Sequence, residues 1–94
     1  MAVFSLESAT PRGLSTMRVR YTIPPLAVSS RGEHDALNPA RYVVVGYIKR
    51  HVIGVAKVAS DPNSVDCFLD APLAVGSWNV TVSGVSDANG IETI

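Results

Sequence analysis

The chain has 94 residues, which is enough for one autonomous domain but near the lower end for a two-sheet sandwich. Eight basic and eight acidic side chains give a formal net charge of zero. This balance argues against nucleic acid or an anionic membrane as the main partner, because both select accumulated positive charge. A near-neutral surface on a chain with 47% hydrophobic residues favours association with other protein subunits instead.

The N-terminal stretch predicts a strand and no export signal. Residues 1–13 contain no basic n-region and only a broken apolar run, so they indicate neither a signal peptide nor a membrane anchor. Val3, Phe4 and Leu6 are typical of a first strand that ends at Pro11. A module that begins at its own Met1 is expected to be made and used without export.

The second predicted strand covers residues 16–23 and ends at the Pro24-Pro25 pair, because two prolines remove two ladder donors. Its outer face carries Arg18 and Arg20, which form either a solvated face or a contact with an acidic neighbour. The strand's apolar face consists of Met17, Val19, Tyr21 and Ile23.

Residues 26–39 are rich in Ser, Gly, Asn and charge, and they lack a period. They predict a long loop of the kind that carries contacts, and this loop contains Arg31, His34 and Asp35.

Residues 42–48 are nearly continuously apolar, with Gly46 as an interruption that is typical of a bulge. They form either a central strand buried on both faces or a strand whose outer face meets a partner. Tyr42 and Tyr47 fall on opposite faces, so one of them is expected outside. Residues 49–51 (Lys-Arg-His) predict a short basic turn, residues 52–58 a strand, and residues 61–64 (Asp-Pro-Asn-Ser) another turn.

Residues 64–90 hold the clearest pattern in the chain, two strands with one buried face each. In the first strand Val65, Cys67 and Leu69 alternate with polar or outward positions, and in the second Trp78, Val80 and Val82 do so. The chain is expected to reverse within residues 71–76, and residues 87–90 predict a further turn. Because Cys67 lies on the apolar side of its strand, it is expected to be a buried small hydrophobe rather than a reactive thiol.

This last third of the chain resembles the C-terminal half of bacterial immunoglobulin-like (Big-type) domains, which occur in surface proteins, secreted enzymes and phage virion proteins. The matching positions are Val65, Leu69, Pro72, Leu73, Gly76, Trp78, Val80, Val82, Ser83, Gly84, Val85, Asp87 and Gly90. More loosely, residues 9–11 followed by residues 17–21 resemble the family's first two strands, and residues 36–42 resemble its entry into the third. The chain departs from the family in stopping four residues after Gly90, where a full final strand is usual.

The resemblance and the turn spacing together predict an all-β fold, an immunoglobulin-like two-sheet antiparallel sandwich of about seven short strands. Residues 1–94 form one such domain, which is either the whole protein or the N-terminal domain of a longer chain. The predicted core anchors are Tyr21, Leu69, Trp78, Val80 and Val82.

The sequence offers no constellation for catalysis or for a cofactor. His34 and His51 lie in different predicted loops, and one cysteine is too few for a zinc site. No nucleophile elbow or phosphate-binding loop is present. Asp87 and Asn89 offer oxygens to calcium, but calcium needs six to eight, so a structural turn with Gly90 at positive φ is favoured there.

We therefore expect a non-catalytic structural module, most concretely a phage virion protein or its attachment domain, that docks on other subunits or on copies of itself through sheet edges and loops. The alternative is a carbohydrate-binding or adhesive module of a bacterial surface protein, with exposed aromatics that stack on sugar rings. An enzyme would need His34, Asp35 or His51 to meet in a pocket. The candidate partner-binding residues are Arg18, Arg20, Arg31, His34, Tyr47, Lys49 and Arg50.

Overall fold

The computed structural model describes residues 4–46, 48–73, 76 and 78–94. This part of the chain is all-β, as predicted, with six strands rather than about seven. A 3-10 turn at Pro39–Arg41 precedes the third strand. The strands are β1 (Leu6–Pro11), β2 (Thr16–Tyr21), β3 (Tyr42–Val45), β4 (Lys49–Val58), β5 (Asp61–Leu69) and β6 (Asn79–Val82).

The six strands are antiparallel neighbours in the order β1-β2-β5-β4-β3-β6. β4 changes partner along its length, since Lys49 to His51 pair with β3 whereas Val52 to Val58 pair with β5. The sheet therefore folds over at β4 into two layers, β1-β2-β5-β4 and β4-β3-β6, and β1 touches β6 where the layers nearly close. Six antiparallel strands in this nearly closed order form a sandwich or barrel-like β fold.

The core confirms the predicted alternation. Met17 lies opposite Cys67 and Val19 opposite Val65, so the inner faces of β2 and β5 bury the same stripe. All four of these side chains are almost fully buried, as are Tyr21 and Leu69. Trp78, Val80 and Val82 pack against this core from the other layer and are partly buried.

Two predicted turns are wrong. Residues 49–51 form the first part of β4, because the main chain of Lys49 and Arg50 pairs with Val45 and Val44. Residues 61–64 open β5, and the reversal before them takes place at residues 59–60, with Val58 paired to Asp61. The Asp61 carboxylate accepts the Asn63 N–H at 3.0 Å, so its turn chemistry operates inside the strand.

Other element boundaries are shorter than predicted. β2 ends at Tyr21 rather than at residue 23, and β3 ends at Val45 rather than at residue 48. After β6 the chain makes only isolated bridges, Ser86 with Thr93 and Asp87 with Pro25, in place of a full final strand.

The strand connections lie at two opposite ends of the sandwich. The groove end carries residues 22–41, 57–62 and 83–94, and the hairpin end carries residues 12–16, 45–46, 48–51 and 69–73. This division follows from the registers, which place Thr16, Phe68 and Val52 near one end and Arg20, Ser64 and Val58 near the other. Any surface built from connections therefore belongs to one end or the other.

Candidate interaction surfaces

The two arginines of β2 are paired within the chain. Nε and Nη2 of Arg18 donate to the two carboxylate oxygens of Asp66 at 2.8 and 3.1 Å, and this hydrogen bonding raises the pKa of Arg18. Arg20 donates to Asp61 at 3.0 Å and to Glu7 on β1. The outer face of the β1-β2-β5 layer thus carries ion pairs, and Arg18 and Arg20 already bind carboxylates without a partner protein.

Asp61 is the most constrained carboxylate on this face. The Ser64 hydroxyl donates to it at 2.7 Å and the Asn63 N–H at 3.0 Å, and together with Arg20 they lower the pKa of Asp61. Because its oxygens are directed toward β5 and Arg20, Asp61 orders the start of the strand.

The long loop at the groove end is organised around one buried carboxylate. Asp35 is 1% exposed, and one of its oxygens accepts the N–H groups of Val28 and Ser29, both at 2.9 Å. The other oxygen accepts the N–H of Leu37 at 2.8 Å. A carboxylate with three backbone donors satisfies groups that would otherwise be buried without partners, so Asp35 is a structural residue of this loop.

His34 attaches the same loop to the C-terminal segment. Its Nδ1 lies 2.7 Å from the carbonyl oxygen of Gly84, which can only accept, so Nδ1 carries the proton. The His34 carbonyl accepts the N–H of Ser86 at 3.0 Å, and the Ser86 carbonyl accepts the N–H of Leu26. These hydrogen bonds join the long loop to the C-terminal segment across the groove end.

Arg41 covers the same segment from the other side. A β-carbon at Gly84 would lie 2.6 Å from Nη1 of Arg41, and Gly84 has a φ of 81°, which L side chains rarely adopt. Nε of Arg41 is buried and has no hydrogen-bond partner among the described residues. The positive φ therefore favours glycine at position 84, whereas the Arg41 guanidinium, at the end of a flexible side chain, can move away from an added β-carbon.

Asp87 forms a hydrogen-bonded turn with Gly90 and Ile91. Its side chain accepts the N–H of Ile91 at 2.7 Å, its carbonyl accepts the N–H of Gly90 at 3.0 Å, and Gly90 has a φ of 70°. Asp87 is buried, whereas Asn89 is exposed. Within residues 4–46, 48–73, 76 and 78–94, no group of three or more potential ligand side chains lies together.

A groove of about 290 Å³ opens at the groove end between the long loop and the β4–β5 hairpin. Its walls are mostly apolar, with Lys57 and Asp61 as the charged residues, and Val28 on its rim is 77% exposed. The lining residues are Pro24, Pro25, Leu26, Ala27, Val28, Lys57, Val58, Asp61, Pro62, Ser64, Val65 and Ala88.

The hairpin end presents basic and apolar side chains. Lys49 is exposed, and Nε of Arg50 donates to the Pro72 carbonyl at 2.9 Å. Leu14 is 79% exposed, although its carbonyl accepts the N–H of Leu73 and so fixes the tip of the β1–β2 connection. Ile48 adds a half-exposed aliphatic side chain to this end.

The predicted partner-binding residues are not gathered into one site. Arg31 and His34 lie at the groove end, Lys49 and Arg50 at the hairpin end, and Tyr47 is outside the described residues. The structure adds features that sequence patterns did not indicate, the groove and the carboxylates that pair with Arg18 and Arg20. The proline pair that closes the second strand was the one available signal for the groove, since both prolines line it.

Cys67 and Trp78 face inward. Cys67 is fully buried, and burial, with a smaller contribution from Asp66, raises the pKa of its thiol to about 12. Trp78 packs against the core with its ring over Gly46. Of the aromatic side chains that the structure describes, Phe68 is the most exposed, at 41%, so these side chains form no exposed row.

No helix in the described part of the chain is long and apolar enough to cross a membrane. No family model and no curated protein sequence matches the chain. Among solved structures, the chain is similar to the N-terminal part of the bacterial S-layer protein SbsC, with a TM-score of 0.71 and 20% sequence identity. The likeness covers 90% of this chain but only 20% of that chain. At this identity the comparison establishes a shared β-rich fold with a domain of a bacterial surface protein.

Proposed function

We propose that the chain is a non-catalytic module of a bacterial cell-surface protein and that it works by protein–protein docking. The observation that carries the proposal is the fold shared with the N-terminal part of an S-layer protein over 90% of the chain. Fold alone does not fix function, so the proposal also depends on the chemistry of the surface. The likeness favours the surface-protein hypothesis over the phage virion hypothesis.

The use of polar groups supports a non-catalytic role. A general base needs a free lone pair within reach of a substrate. Asp35 instead accepts three backbone N–H groups and is 1% exposed, so its oxygens are out of reach of a substrate. This carboxylate therefore stabilises its loop, whereas His34 donates from Nδ1 to the Gly84 carbonyl and keeps its Nε2 lone pair.

Docking on protein is favoured over sugar binding within the surface-protein hypothesis. Sugar binding on a sandwich commonly uses exposed aromatic rings, and Trp78 is partly buried against the core. Exposed aliphatic side chains beside charges at both ends, such as Leu14 and Val28, are more typical of protein contacts.

The test is to locate the chain in the organism that encodes it. Antibodies raised against the purified chain are applied to intact cells, to lysed cells and to particles released from the culture. Labelling of intact cells that is lost after protease shaving supports the proposal. Labelling confined to released particles would establish the virion role instead, and labelling that requires lysis would exclude the cell surface.

A further inference from the structure

The side-chain charges of this neutral chain are separated between its two ends. The hairpin end holds Arg12, Lys49 and Arg50 against Asp70, a net charge of +2. The groove end has a net charge of −2, with Glu33, Asp35, Asp61, Asp87 and Glu92 against Arg31, Arg41 and Lys57.

The remaining charged residues lie on strands and form two balanced pairs, Arg18 with Asp66 and, nearer the groove end, Arg20 with Glu7. The molecule is therefore strongly dipolar along its strands, and this arrangement is hidden by its zero net charge. β4 spans ten residues, about 30 Å at the usual rise of a strand, so the strands run along the 37 Å dimension. Opposite charges thus lie at the two tips of the long axis.

The apolar features are also divided between the ends. The groove end has a mostly apolar groove of about 290 Å³, in which Lys57 and Asp61 are the charged lining residues. At the hairpin end, Leu14 in the β1–β2 connection is 79% exposed, and Arg12 and Lys49 belong to the same end of the fold. An exposed leucine at the end with net charge +2 complements an apolar groove at the end with net charge −2, in polarity and in sign of charge.

We propose that copies of this chain associate head to tail, with the hairpin end of one copy seated on the groove end of the next and Leu14 in the groove. The proposal rests on the docking function above and names the partner, a second copy of this chain. Because the two surfaces differ, the contact is heterologous, and every added copy leaves one free end of each kind. Such a contact builds linear assemblies rather than closed dimers.

The dimensions predict a weak contact. The molecule's two shorter dimensions, 26 and 23 Å, give each end a cross-section on the order of 500 Å². An end-to-end contact would therefore bury about 1,000 Å² of surface, counted on both partners. This area is at the lower limit for a specific interface, so charge attraction supplies an important part of the affinity. We expect roughly tenfold weaker association at about 0.5 M salt than at about 0.02 M, because the Debye length shrinks several-fold between them.

Two variants that each disable one end test the geometry. The hairpin-end variant carries Leu14→Ser and Lys49→Glu, and the groove-end variant carries Glu33→Lys and Ala88→Lys. All four side chains are exposed in the single chain, so folding should be preserved, and circular dichroism checks this. A control with Ser8→Glu and Ile53→Ser changes one charge and one exposed aliphatic residue between the ends.

The measurement is the weight-average mass by sedimentation over a concentration series at low and high salt. We expect the native chain and the control to grow beyond a dimer as concentration rises at low salt, and each end variant alone to remain monomeric. An equimolar mixture of the two variants should form one-to-one dimers and nothing larger, since only one intact hairpin end and one intact groove end can meet.

A monomeric native chain at every concentration would overturn the proposal, and so would a dimer that never grows or a mixture of variants that stays monomeric. Loss of association in the control as well would show that the ends are not the contact. These outcomes are separate from the cell-labelling result, because a surface module that docks only on other proteins would label intact cells and still sediment as a monomer.

Discussion

The hydroxyl groups of Tyr21 and Tyr42 share a hydrogen bond of 2.7 Å inside the core. Tyr42 also lies 2.6 Å from the carbonyl oxygen of Ala36, which can only accept, so the Tyr42 proton goes to Ala36 and the Tyr21 proton goes to Tyr42. These two hydrogen bonds connect β2, β3 and the long loop, and therefore they connect both layers of the sandwich. Burial raises the pKa of both tyrosines above the ordinary value, which keeps the two protons in place.

The direction of these bonds predicts an asymmetry between two conservative substitutions. Tyr42→Phe leaves both the Ala36 carbonyl and the Tyr21 hydroxyl without a partner and should lower the free energy of unfolding by about 2–4 kcal/mol. Tyr21→Phe leaves the bond from Tyr42 to Ala36 intact and should cost about 1 kcal/mol. Urea unfolding followed by circular dichroism measures both, and equal losses would contradict the assigned direction.

The buried carboxylate of Asp35 predicts that replacing one of its oxygens by an amide nitrogen lowers the stability of the protein strongly. Asp35→Asn replaces one of two acceptor oxygens by a donor, so it sets an N–H group against backbone N–H groups, and we expect a loss of about 2–4 kcal/mol in unfolding free energy. Glu33→Gln in the same loop is the matched control, because Glu33 is exposed, and it should change stability by less than about 0.5 kcal/mol. Coincident urea transitions for the two variants would show that the loop does not depend on Asp35.

Gly46 and Gly54 predict opposite responses to the same added methyl group. A β-carbon at position 46 would lie 2.6 Å from two carbons of the Trp78 ring, so Gly46→Ala should displace the indole and cost about 1–3 kcal/mol. At position 54 the nearest atom is Cδ2 of Phe68 at 3.7 Å, an ordinary contact, and Gly54→Ala should be neutral or slightly stabilising. Trp78 is the single tryptophan, so its emission maximum should shift in the first variant and not in the second.

The raised pKa of Cys67 predicts how stability falls in alkali. Below about pH 8 the thiol is protonated in both states, so it adds no pH dependence. Above about pH 9 the unfolded chain releases this proton while the folded chain keeps it up to about pH 12, so stability decreases by about 1.4 kcal/mol per pH unit. Tyr21 and Tyr42 add to the decrease above about pH 10.

Cys67→Ala isolates the thiol's contribution to this decrease. Under reducing conditions, urea midpoints of this variant should be level between about pH 9 and 10, where those of the native chain fall, and both should fall at higher pH. An unchanged slope in the variant would assign the alkaline loss to other groups. In the native chain, thiol reagents should react with Cys67 only as fast as the protein opens.

Strands with one buried face could be predicted from the sequence, because alternation in β2 and β5 records which face meets the core. The start of β4 could not be predicted, since Lys49, Arg50 and His51 are held by main-chain pairing with β3 and their side chains carry no apolar period. The residues that open β5 show the opposite case, because their sequence predicts a turn although they form part of a strand. Asp61 and Asn63 have the chemistry of a turn, and their side chains make those hydrogen bonds within a strand.

The surfaces were harder to predict than the strands, because they depend on register. The alternation in β2 predicts that Arg18 faces outward, but its partner Asp66 is 48 residues away and is set by the pairing of β2 with β5. The same holds for the separation of charge, since Arg12 and Lys49 are far apart in sequence and share an end only because successive hairpins return the chain there. The composition gives a net charge of zero but does not give the positions of the charges in the fold.

The change of partners along β4 also determines how the molecule opens. Its first three residues are hydrogen-bonded to one layer and the remainder to the other, so neither layer can detach without releasing part of the same strand. Backbone amides near the change of partner, around His51 and Val52, should therefore exchange with deuterium only through global unfolding, at a rate set by the full stability of the protein. The exposed edge strand β1 can fray by itself, and its amides should exchange much sooner.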